Sequence, residues 1–504
     1  MITTREMRVL EMNTVALGIP LLNLMEAAGK SVADYIYSKI SPERGVEVTV
    51  LAGKGGNGGD GFVAARYLSE MGYRVQVILS HSPSEIEHPD AARNFQVLKK
   101  MTSVRIRSAD EEGLVLQESD VIVDALLGTG VKGELRGTVR RLVEEANKTP
   151  FKLKVAVDTP TGLNPDTGEI HGVAFKADVT ITFHDIKPGL LKRPEYTGEI
   201  VVAKIGIPLE ASLYVGPGDV AYRLPPRPPT AHKGSSGRVL AIAGSEKYVG
   251  AAYLAAKAAL LAGVDLSFLL VPKSIRSIVA GLSPDIITIP YDGEYLSPIH
   301  VDVVEKTIDE IKPHVVAIGP GLGSRSETIE AVKGIIRKVL ERDLPMVIDA
   351  DALKAVKEMN ETLRYKAVLT PHRGEFRYLT GVDLGENPLE KASLVKEYAR
   401  RKESIILLKA PIDIISDGTR IRFNKTGNPY MAVGGTGDIL TGLVAGFIAR
   451  SRDLFDAACV AAYVNGVAGD YMLRNQGYVV ASEMLNYVPL VLSKPLELHT
   501  YLYG

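Results

Sequence analysis

Tryptophan is absent from the sequence and cysteine occurs once, at Cys459. A single thiol excludes a disulfide within the chain. It sits in the apolar helical run DAACVAAYVNGVAG, where a buried thiol behaves as a small hydrophobe. That usage favours a reducing compartment. No sign of charge is in excess: 59 Lys and Arg face 60 Asp and Glu, a net charge of −1. The balance leaves no basic stripe for nucleic acid and no polybasic surface for a membrane. Long apolar runs are missing too. The opening MITTREMRVLEMN has acidic residues and no apolar core of a secretory signal, and charges break the most apolar stretches well short of a membrane span. A cytoplasmic protein is expected.

Glycine, by contrast, is abundant, at 48 of 504 residues, as in an α/β protein with tight loops at strand ends. The length exceeds the roughly 250–300 residues of a single core, so at least two domains are expected. Two helices, Thr4–Leu17 and Leu21–Ile40, open the chain. Val46–Gly53 reads as a buried strand, and Asp60–Met71 reads as a helix after a glycine loop. Arg74–Ser80, Asp120–Leu126, Lys154–Pro160 and Ala177–Phe183 repeat the strand signal with helical stretches between most of them. That alternation predicts parallel strands joined by crossover helices. After Gly216 the segment PGDVAYRLPPRPPTAHKG carries five prolines. It predicts an extended linker over 216–231, between domains at 1–215 and 232–504. The pattern then restarts with a strand at Arg238–Ser245 and an alanine-rich helix at Gly250–Ala262. Further strands are expected in DLSFLLVP, HVVAIGPG, MVIDAD, AVLTPH and SIILLKAP, and three helices after the glycines at 434–437.

The first glycine-dense loop, LAGKGGNGGDGFVAARYL, is neither the Walker pattern nor GxGxxG. Its glycines still allow backbone amides to approach a phosphate at a helix start. Asn57 and Asp60 add side-chain oxygens, although Asp60 alone also suits a helix N-cap. Asp124, Asp158 and Thr161 lie at two other strand ends, where a cap or turn role is the plain alternative. Together they point to one pocket. Asn57, Asp124 and Thr161 offer hard oxygen ligands without a dense carboxylate cluster, which suits a weakly charged cation better than zinc. Asp158 is then free for proton transfer.

Four motifs in order, LMEAAG, NGGDG, DALLGTG and VDTPTGL, make residues 1–215 resemble the NAD(P)H-hydrate epimerases, the YjeF N-terminal domain. The resemblance implies a Rossmann-like three-layer α/β/α fold and interconversion of the R and S forms of hydrated NAD(P)H. It implies substrate contacts from Asn57, Gly58, Gly59, Asp60 and Gly61. A second set would come from Gly128, Thr129, Gly130, Val131, Lys132, Gly133 and Glu134. Asp158 would contact the substrate and act as acid/base, and Asn57, Asp124 and Thr161 would hold potassium. Ala27 departs from the first motif, where asparagine is common.

In the second half, GGTGD (Gly434–Asp438) precedes an apolar helix. Amides exposed at a helix start, where the dipole is positive, suit a transferring phosphoryl group. Asp438, just past the glycines, can take the proton of an attacking hydroxyl; a helix N-cap is the alternative. Lys409 and Asp413 in LLKAPIDII stand near a nucleotide or form an ordinary hairpin. His372 follows a strand, and Asp349 and Asp351 end another with a magnesium-linked or a capping role. On residues alone the reading stops at a small-molecule kinase joined to a nucleotide-binding module.

HKGSSGRVLAIAGS, GAAYLAAKAAL, GPGLG, DADAL, TPHRGEF and NPYMAVGGTGDILTG together resemble the ribokinase-like superfamily, and within it the ADP/ATP-dependent NAD(P)H-hydrate dehydratases. The resemblance implies a ribokinase-like α/β domain that dehydrates the S form with ADP and Mg2+, giving AMP and phosphate. Asp438 would be the catalytic base. Ala251, Gly323, His372 and Asp438 would contact the hydrate. Lys409, Ala410, Pro411, Ile412, Asp413, Gly434, Gly435, Thr436 and Gly437 would contact the nucleotide. The implied partners are hydrated NADH and NADPH (NADHX and NADPHX) and ADP, in a homo-oligomer, with neither nucleic acid nor membrane.

Overall fold

The computed structural model describes residues 1–43, 45–111, 116–130 and 133–504. They form two compact units, Met1–Pro208 and Leu209–Gly504. In the first, seven strands run β1 (Glu47–Ala52), β2 (Arg74–Leu79), β3 (Val104–Ser108), β4 (Val121–Ala125), β5 (Leu153–Val157), β6 (Val179–Phe183) and β7 (Glu199–Ala203). They pair in parallel in the order β3-β2-β1-β4-β5-β6-β7. Apolar cores cover both faces, so the central strands read as continuous apolar runs and not as alternating ones. β3 and β7 lie at the edges with mixed burial, which is why VRIRS and EIVVA lack that signature.

Helices α1 (Thr4–Ala16), α2 (Leu21–Lys39) and α3 (Gly56–Glu70) belong to this unit. α3 begins four residues before the expected Asp60. Its glycines are therefore helical, and close packing demands them. A Cβ at Gly58 would lie 1.8 Å from the Gly53 carbonyl oxygen, and one at Gly61 would lie 2.6 Å from Ala125.

The second unit has nine strands: β8 (Arg238–Ile242), β9 (Leu266–Pro272), β10 (Ile286–Tyr291), β11 (Val315–Ile318), β12 (Met346–Ile348), β13 (Ala367–Leu369), β14 (Ile405–Leu408), β15 (Asp413–Ser416) and β16 (Ile421–Asn424). Their order is β10-β9-β8-β11-β12-β13-β14-β15-β16, and only the last two pairings are antiparallel. Five α-helices, not three, follow the glycines at 434–437. Proline opens Val488–Ser493 and Pro495–Tyr503, fixing breaks that the apolar pattern does not mark.

The expected linker is only partly extended. Pro217–Arg223 is a helix with proline in its first turn. Its Asp219 and Arg223 are buried in the second unit. Arg223 Nε donates to Asp219 Oδ1 at 2.6 Å and Nη1 to Asp456 at 2.7 Å, while Arg422 reaches Asp219 at 3.0 Å. A buried charge without such partners would be costly, so this network ties the segment to the domain that follows it. The exposed, irregular stretch begins at Pro225, after that helix, and ends before β8.

The alanine-rich helix Val249–Leu261 packs against Thr436–Ser451 almost backbone to backbone. A Cβ at Gly442 would lie 2.1 Å from the Ala255 carbonyl oxygen, and one at Gly446 would lie 2.5 Å from Ala262 Cβ. Gly442→Ala is expected to cost about 1–3 kcal/mol through forced separation of the helices, outweighing its gain of up to ~1 kcal/mol in helix propensity. Gly281→Ala, at a helical position with open space around it, should be neutral or slightly stabilising. Denaturant unfolding of the two variants checks the contrast.

Candidate active sites at the carboxyl edges of the two sheets

In the first unit β1 has β2 on one side and β4 on the other, so the loops leaving β1 and β4 diverge and open a crevice at their carboxyl ends. A cavity of ≈ 450 Å³ lies there, lined by Asn57, Asp60, Gly128, Thr129, Gly130 and Asp158 of the expected set. Gly58, Gly59 and Gly61 are not in its lining; they are buried in helix packing. Asp60 is inside α3 and does not cap it, because Gly55 is the N-cap. Gly133 and Glu134 are exposed and outside the lining, and Val131 and Lys132 fall outside the described residues.

Asp124 and Thr161 meet below this cavity. The Thr161 amide and hydroxyl each donate to the Asp124 carboxylate at 2.7 Å, and the Leu126 amide adds a third bond at 3.2 Å. Asp124 is fully buried, and burial pushes its pKa up to about 6 against those hydrogen bonds. Its hydrogen-bond partners are neutral. Asn57 is 9% exposed, and its Nδ2 has no hydrogen-bond partner among the described residues. Gly128 lies against it: a Cβ there would stand 3.3 Å from Asn57 Cβ. A buried carboxylate lacking a counter-charge, with the Thr161 hydroxyl oxygen against it, fits a monovalent cation. Among the described residues, no group of three or more His, Cys, Asp or Glu side chains is arranged to hold a metal.

Asp158 takes a left-handed backbone conformation, φ 62°, at the end of β5. Such a φ is uncommon outside glycine and persists where its surroundings hold it. Here Oδ1 accepts from the Phe183 amide at 3.0 Å, the Thr182 hydroxyl at 3.2 Å and the Lys187 ammonium. Lys187 is wholly buried and also donates to Thr182 and the Phe183 carbonyl, both at 3.0 Å. Sequence reasoning missed Lys187. Its only signal was a lysine in FHDIKPGL just after the β6 strand.

In the second unit a cavity of ≈ 690 Å³ is lined by Lys409, Ala410, Pro411, Asp413, Thr436 and Gly437 from the expected nucleotide set, and by His372. Ile412 is exposed, and Gly434 and Gly435 are not in the lining. Gly435 is the left-handed N-cap of Thr436–Ser451, φ 102°, and a side chain on it would meet Leu254 at 2.6 Å. Lys409 Nζ lies 3.5 Å from where a Cβ on Gly437 would stand, so a cation sits beside the amides of the helix start. It pairs with Asp349 at 2.9 Å and has Glu375 at 3.9 Å. Burial opposes its charge, yet Asp349 and Glu375 together raise its pKa above the usual lysine value. The other Asp349 oxygen accepts from Thr441 at 2.7 Å.

Asp438 is the third residue of that helix and not its cap. Burial raises its pKa to about 6, Asp349 adds to the shift, and Lys409 opposes it. β14 and β15 do form a hairpin. Asp413 accepts from the Ala410 amide at 3.0 Å and from Asn424 at 2.9 Å, so it fixes the turn that carries Lys409. His372 caps the helix Arg373–Thr380: its Nδ1 accepts from the amides of Gly374 and Glu375 at 2.9 and 3.3 Å.

Gly323 lines a separate cleft of ≈ 290 Å³ where β8 and β11 diverge, and its amide donates to Asp351 at 3.0 Å. Tyr248, Tyr295 and Arg325 also line this cleft, and the Arg325 guanidinium lies 4.3 Å from the centre of the Tyr295 ring. Ala251 is not in the lining but packs under the loop, 3.1 Å from a Cβ placed on Gly321.

Residues 21–189 match the family described as YjeF-related protein N-terminus, and residues 239–490 match NAD(P)H-hydrate dehydratase. A protein of Hyperthermus butylicus named bifunctional NAD(P)H-hydrate repair enzyme Nnr is 45% identical over 505 residues, covering 98% of this chain and 93% of its own. One of the same name from Pyrobaculum aerophilum is 44% identical and covers 98% of each chain. A ribokinase-like superfamily protein of Enterococcus faecalis is alike in fold, with a TM-score of 0.50 at 22% identity over 56% of this chain and 95% of that one. With both halves matched, in order and nearly end to end, the chain belongs to the family of bifunctional NAD(P)H-hydrate repair enzymes.

Proposed function

We propose that this chain repairs hydrated NAD(P)H in two reactions. The first unit interconverts the R and S forms, and the second dehydrates the S form at the expense of ADP, giving AMP and phosphate. The observation that carries the dehydratase reading is the placement of Asp438 in the first turn of Thr436–Ser451, with Lys409 held beside the same helix start.

Hydration of an enamine leaves a hydroxyl on the carbon next to nitrogen, and hydroxide is a poor leaving group. Asp438, basic enough to accept a proton and largely ionised near neutrality, takes the hydroxyl proton as the oxygen attacks the terminal phosphoryl group. Lys409 and the Gly434–Gly437 amides stabilise the charge that develops on that group. Phosphate then leaves with the electron pair of the C–O bond, a ring C–H gives up its proton, and the conjugated double bond returns. Lys409, Ala410, Pro411, Ile412, Asp413 and the Gly434–Gly437 turn hold the nucleotide. Gly323, His372 and Asp438 are the proposed contacts to the hydrate, with Ala251 packed under the Gly321 turn beside them. Mg2+ would travel on the nucleotide's phosphates.

In the first unit Asp158 exchanges protons with the substrate, and the cavity glycines bring backbone amides to its phosphates. Potassium, held by Asn57, Asp124 and Thr161, would neutralise the buried Asp124 and fix the two loops. The linked arrangement lets the epimerase feed the form that the dehydratase consumes.

Incubating the chain with hydrated NADH and ADP or ATP should restore the near-ultraviolet absorbance of reduced nicotinamide. No recovery with either nucleotide would sink the dehydratase reading, and a stable phosphorylated product would favour a small-molecule kinase. Asp438→Ala should lower the dehydration rate by roughly 10²- to 10⁴-fold. Asp158→Ala should leave dehydration of the S form intact and remove only use of the R form.

The pH profile has a definite sign. The ionised form of Asp438 is the active one, so dehydration should fall as pH drops through about 6, a limb that Asp438→Asn removes. A wild-type profile flat from pH 5 to 7 contradicts the assigned base.

A further inference from the structure

Helix α1 precedes the segment matched to the epimerase family, which starts at residue 21. It is nevertheless part of the cavity: Arg8 and Glu11, one turn apart, both line it. The helix is fastened in place. The Thr4 amide and hydroxyl donate to Asp166 at 2.9 and 2.6 Å, the Ile2 amide donates to the Ile186 carbonyl at 2.9 Å, and the N-terminal ammonium meets Asp185 at 2.7 Å. All three anchors belong to segments that follow β5 and β6, close in sequence to Asp158 and Lys187. Arg8 reaches the second glycine loop, with Nη2 3.6 Å from a Cβ placed on Gly130.

Three carboxyl groups line the cavity, Glu11, Asp60 and Asp158, and of the three Lys187 contacts only Asp158. Glu11 makes no hydrogen bond or contact ion pair among the described residues. A carboxyl group on a ligand-sized cavity wall with no protein partner has its bonding capacity turned to whatever enters. The buried Asn57 Nδ2, also without a partner, belongs to the same wall.

We propose that Glu11 is the second catalytic acid/base of the epimerase unit, working with Asp158 on the same ring carbon. This rests on the epimerase reading above. Catalysis of inversion at a carbinol carbon is served by one group acting on the departing oxygen and another on the arriving one, and α1 and the end of β5 each bring a carboxyl group to the cavity. With the proton on Glu11 and none on Asp158, Glu11 protonates the departing hydroxyl. The C–O bond breaks as the ring nitrogen's lone pair forms C=N⁺, and water leaves. A second water loses a proton to Asp158 as its oxygen adds to the other face of that carbon, and the electron pair returns to nitrogen. One water departs and one adds, with no change in oxidation state. In the reverse direction the two carboxyl groups exchange roles, so both directions need one proton on the pair.

The charges around Glu11 are consistent with this sharing. Arg8 on its own helix and Lys187 after β6 favour its ionised form; Asp158 at the end of β5 disfavours it. Asp60 on α3 interacts with both carboxylates, and Lys54 and His88 line the same cavity. Burial, then Asp158, outweigh Lys187 and Arg8, and the Glu11 pKa rises to about 7. Asp60, desolvated and beside Asp158 and Glu11, is pushed well above the usual carboxylate range. Separate environments for neighbouring carboxyl groups are what divides acid from base in such sites.

The test follows the R-to-S ratio of hydrated NADH by chromatography with the full chain and no nucleotide, so that dehydration is silent. Glu11→Gln, nearly isosteric, should lower kcat roughly 10²- to 10⁴-fold with KM within about threefold of wild type and an unchanged melting temperature. Glu11→Asp should recover part of the rate. The wild-type rate should fall as pH rises through about 7, and Glu11→Gln should lack that limb. A Glu11→Gln enzyme that keeps the wild-type rate, or keeps the limb, overturns the proposal. If it is slow only because it has unfolded, Glu11→Asp decides: no partial rate in a folded Glu11→Asp enzyme also overturns it. A wild-type chain no faster than spontaneous epimerisation removes the epimerase reading itself. An epimerase sensitive to Asp158→Ala but indifferent to Glu11→Gln removes only the role given to Glu11.

Discussion

A parallel strand buried on both faces must leave the sheet through a loop that satisfies its last amides and carbonyls, and that requirement shapes both units. At the carboxyl edge the loops diverge wherever strand order reverses, at β1/β4 in the first unit and β8/β11 in the second. Polar side chains are tolerated there at depth because backbone groups and neighbouring side chains pair with them. Asp124, Asp158 and Asp349 are each held by amides, hydroxyls or an ammonium at such an edge. Away from those edges the Asp219–Arg223–Arg422–Asp456 network is a buried charged cluster with its own partners.

The two edges solve different electrostatic problems. In the first unit carboxyl groups outnumber the cations they touch, so their environments differ. Asp158 has the Lys187 ammonium, Asp124 has only neutral donors, and Glu11 has no contact partner. The proposed proton exchange rests on that difference. In the second unit the key group is a cation: Lys409 is held by Asp349 beside the start of a helix, where the backbone presents unpaired N–H groups. A cation there, with a carboxyl group in the first turn of the helix, is the arrangement on which the proposed phosphoryl transfer rests. The difference lies in which charge the loops bury, since both scaffolds are doubly wound sheets.

Close backbone approach is the second shared device. Gly58 and Gly61 let α3 sit on β1 and β4, and Gly442 and Gly446 let the helix carrying Asp438 lie on the alanine-rich helix beside it. Catalytic groups at a helix start can be no better placed than the helix itself. Small residues along its contact face are therefore part of the site's geometry, although they touch no ligand.

Much of this was legible in the sequence. Continuous β-branched runs gave the central strands, since strands buried on both faces carry no alternation to confuse. Glycine-rich segments before a helix marked the two cavities, and HKGSSGRV and TPHRGEF in the second half separated a dehydratase-like domain from a plain kinase. β3, β7 and β10 were not legible, because an edge strand is half exposed and its pattern is diluted, and the four-residue β16 was too short to show a pattern. The helix at 217–223 was hidden by the prolines around it; what lets its charged residues be buried is pairing with Arg422 and Asp456, more than 200 residues away. Lys187 and Glu11 were missed for the same kind of reason. Each is one charged residue in an unremarkable segment, and it gains meaning only when folding sets it against Asp158. Local sequence determines which segments are strands, helices and glycine turns, because those depend on near neighbours. Which carboxyl group keeps a counter-charge, and which shares a proton, depends on distances between remote residues, and only the tertiary structure sets those.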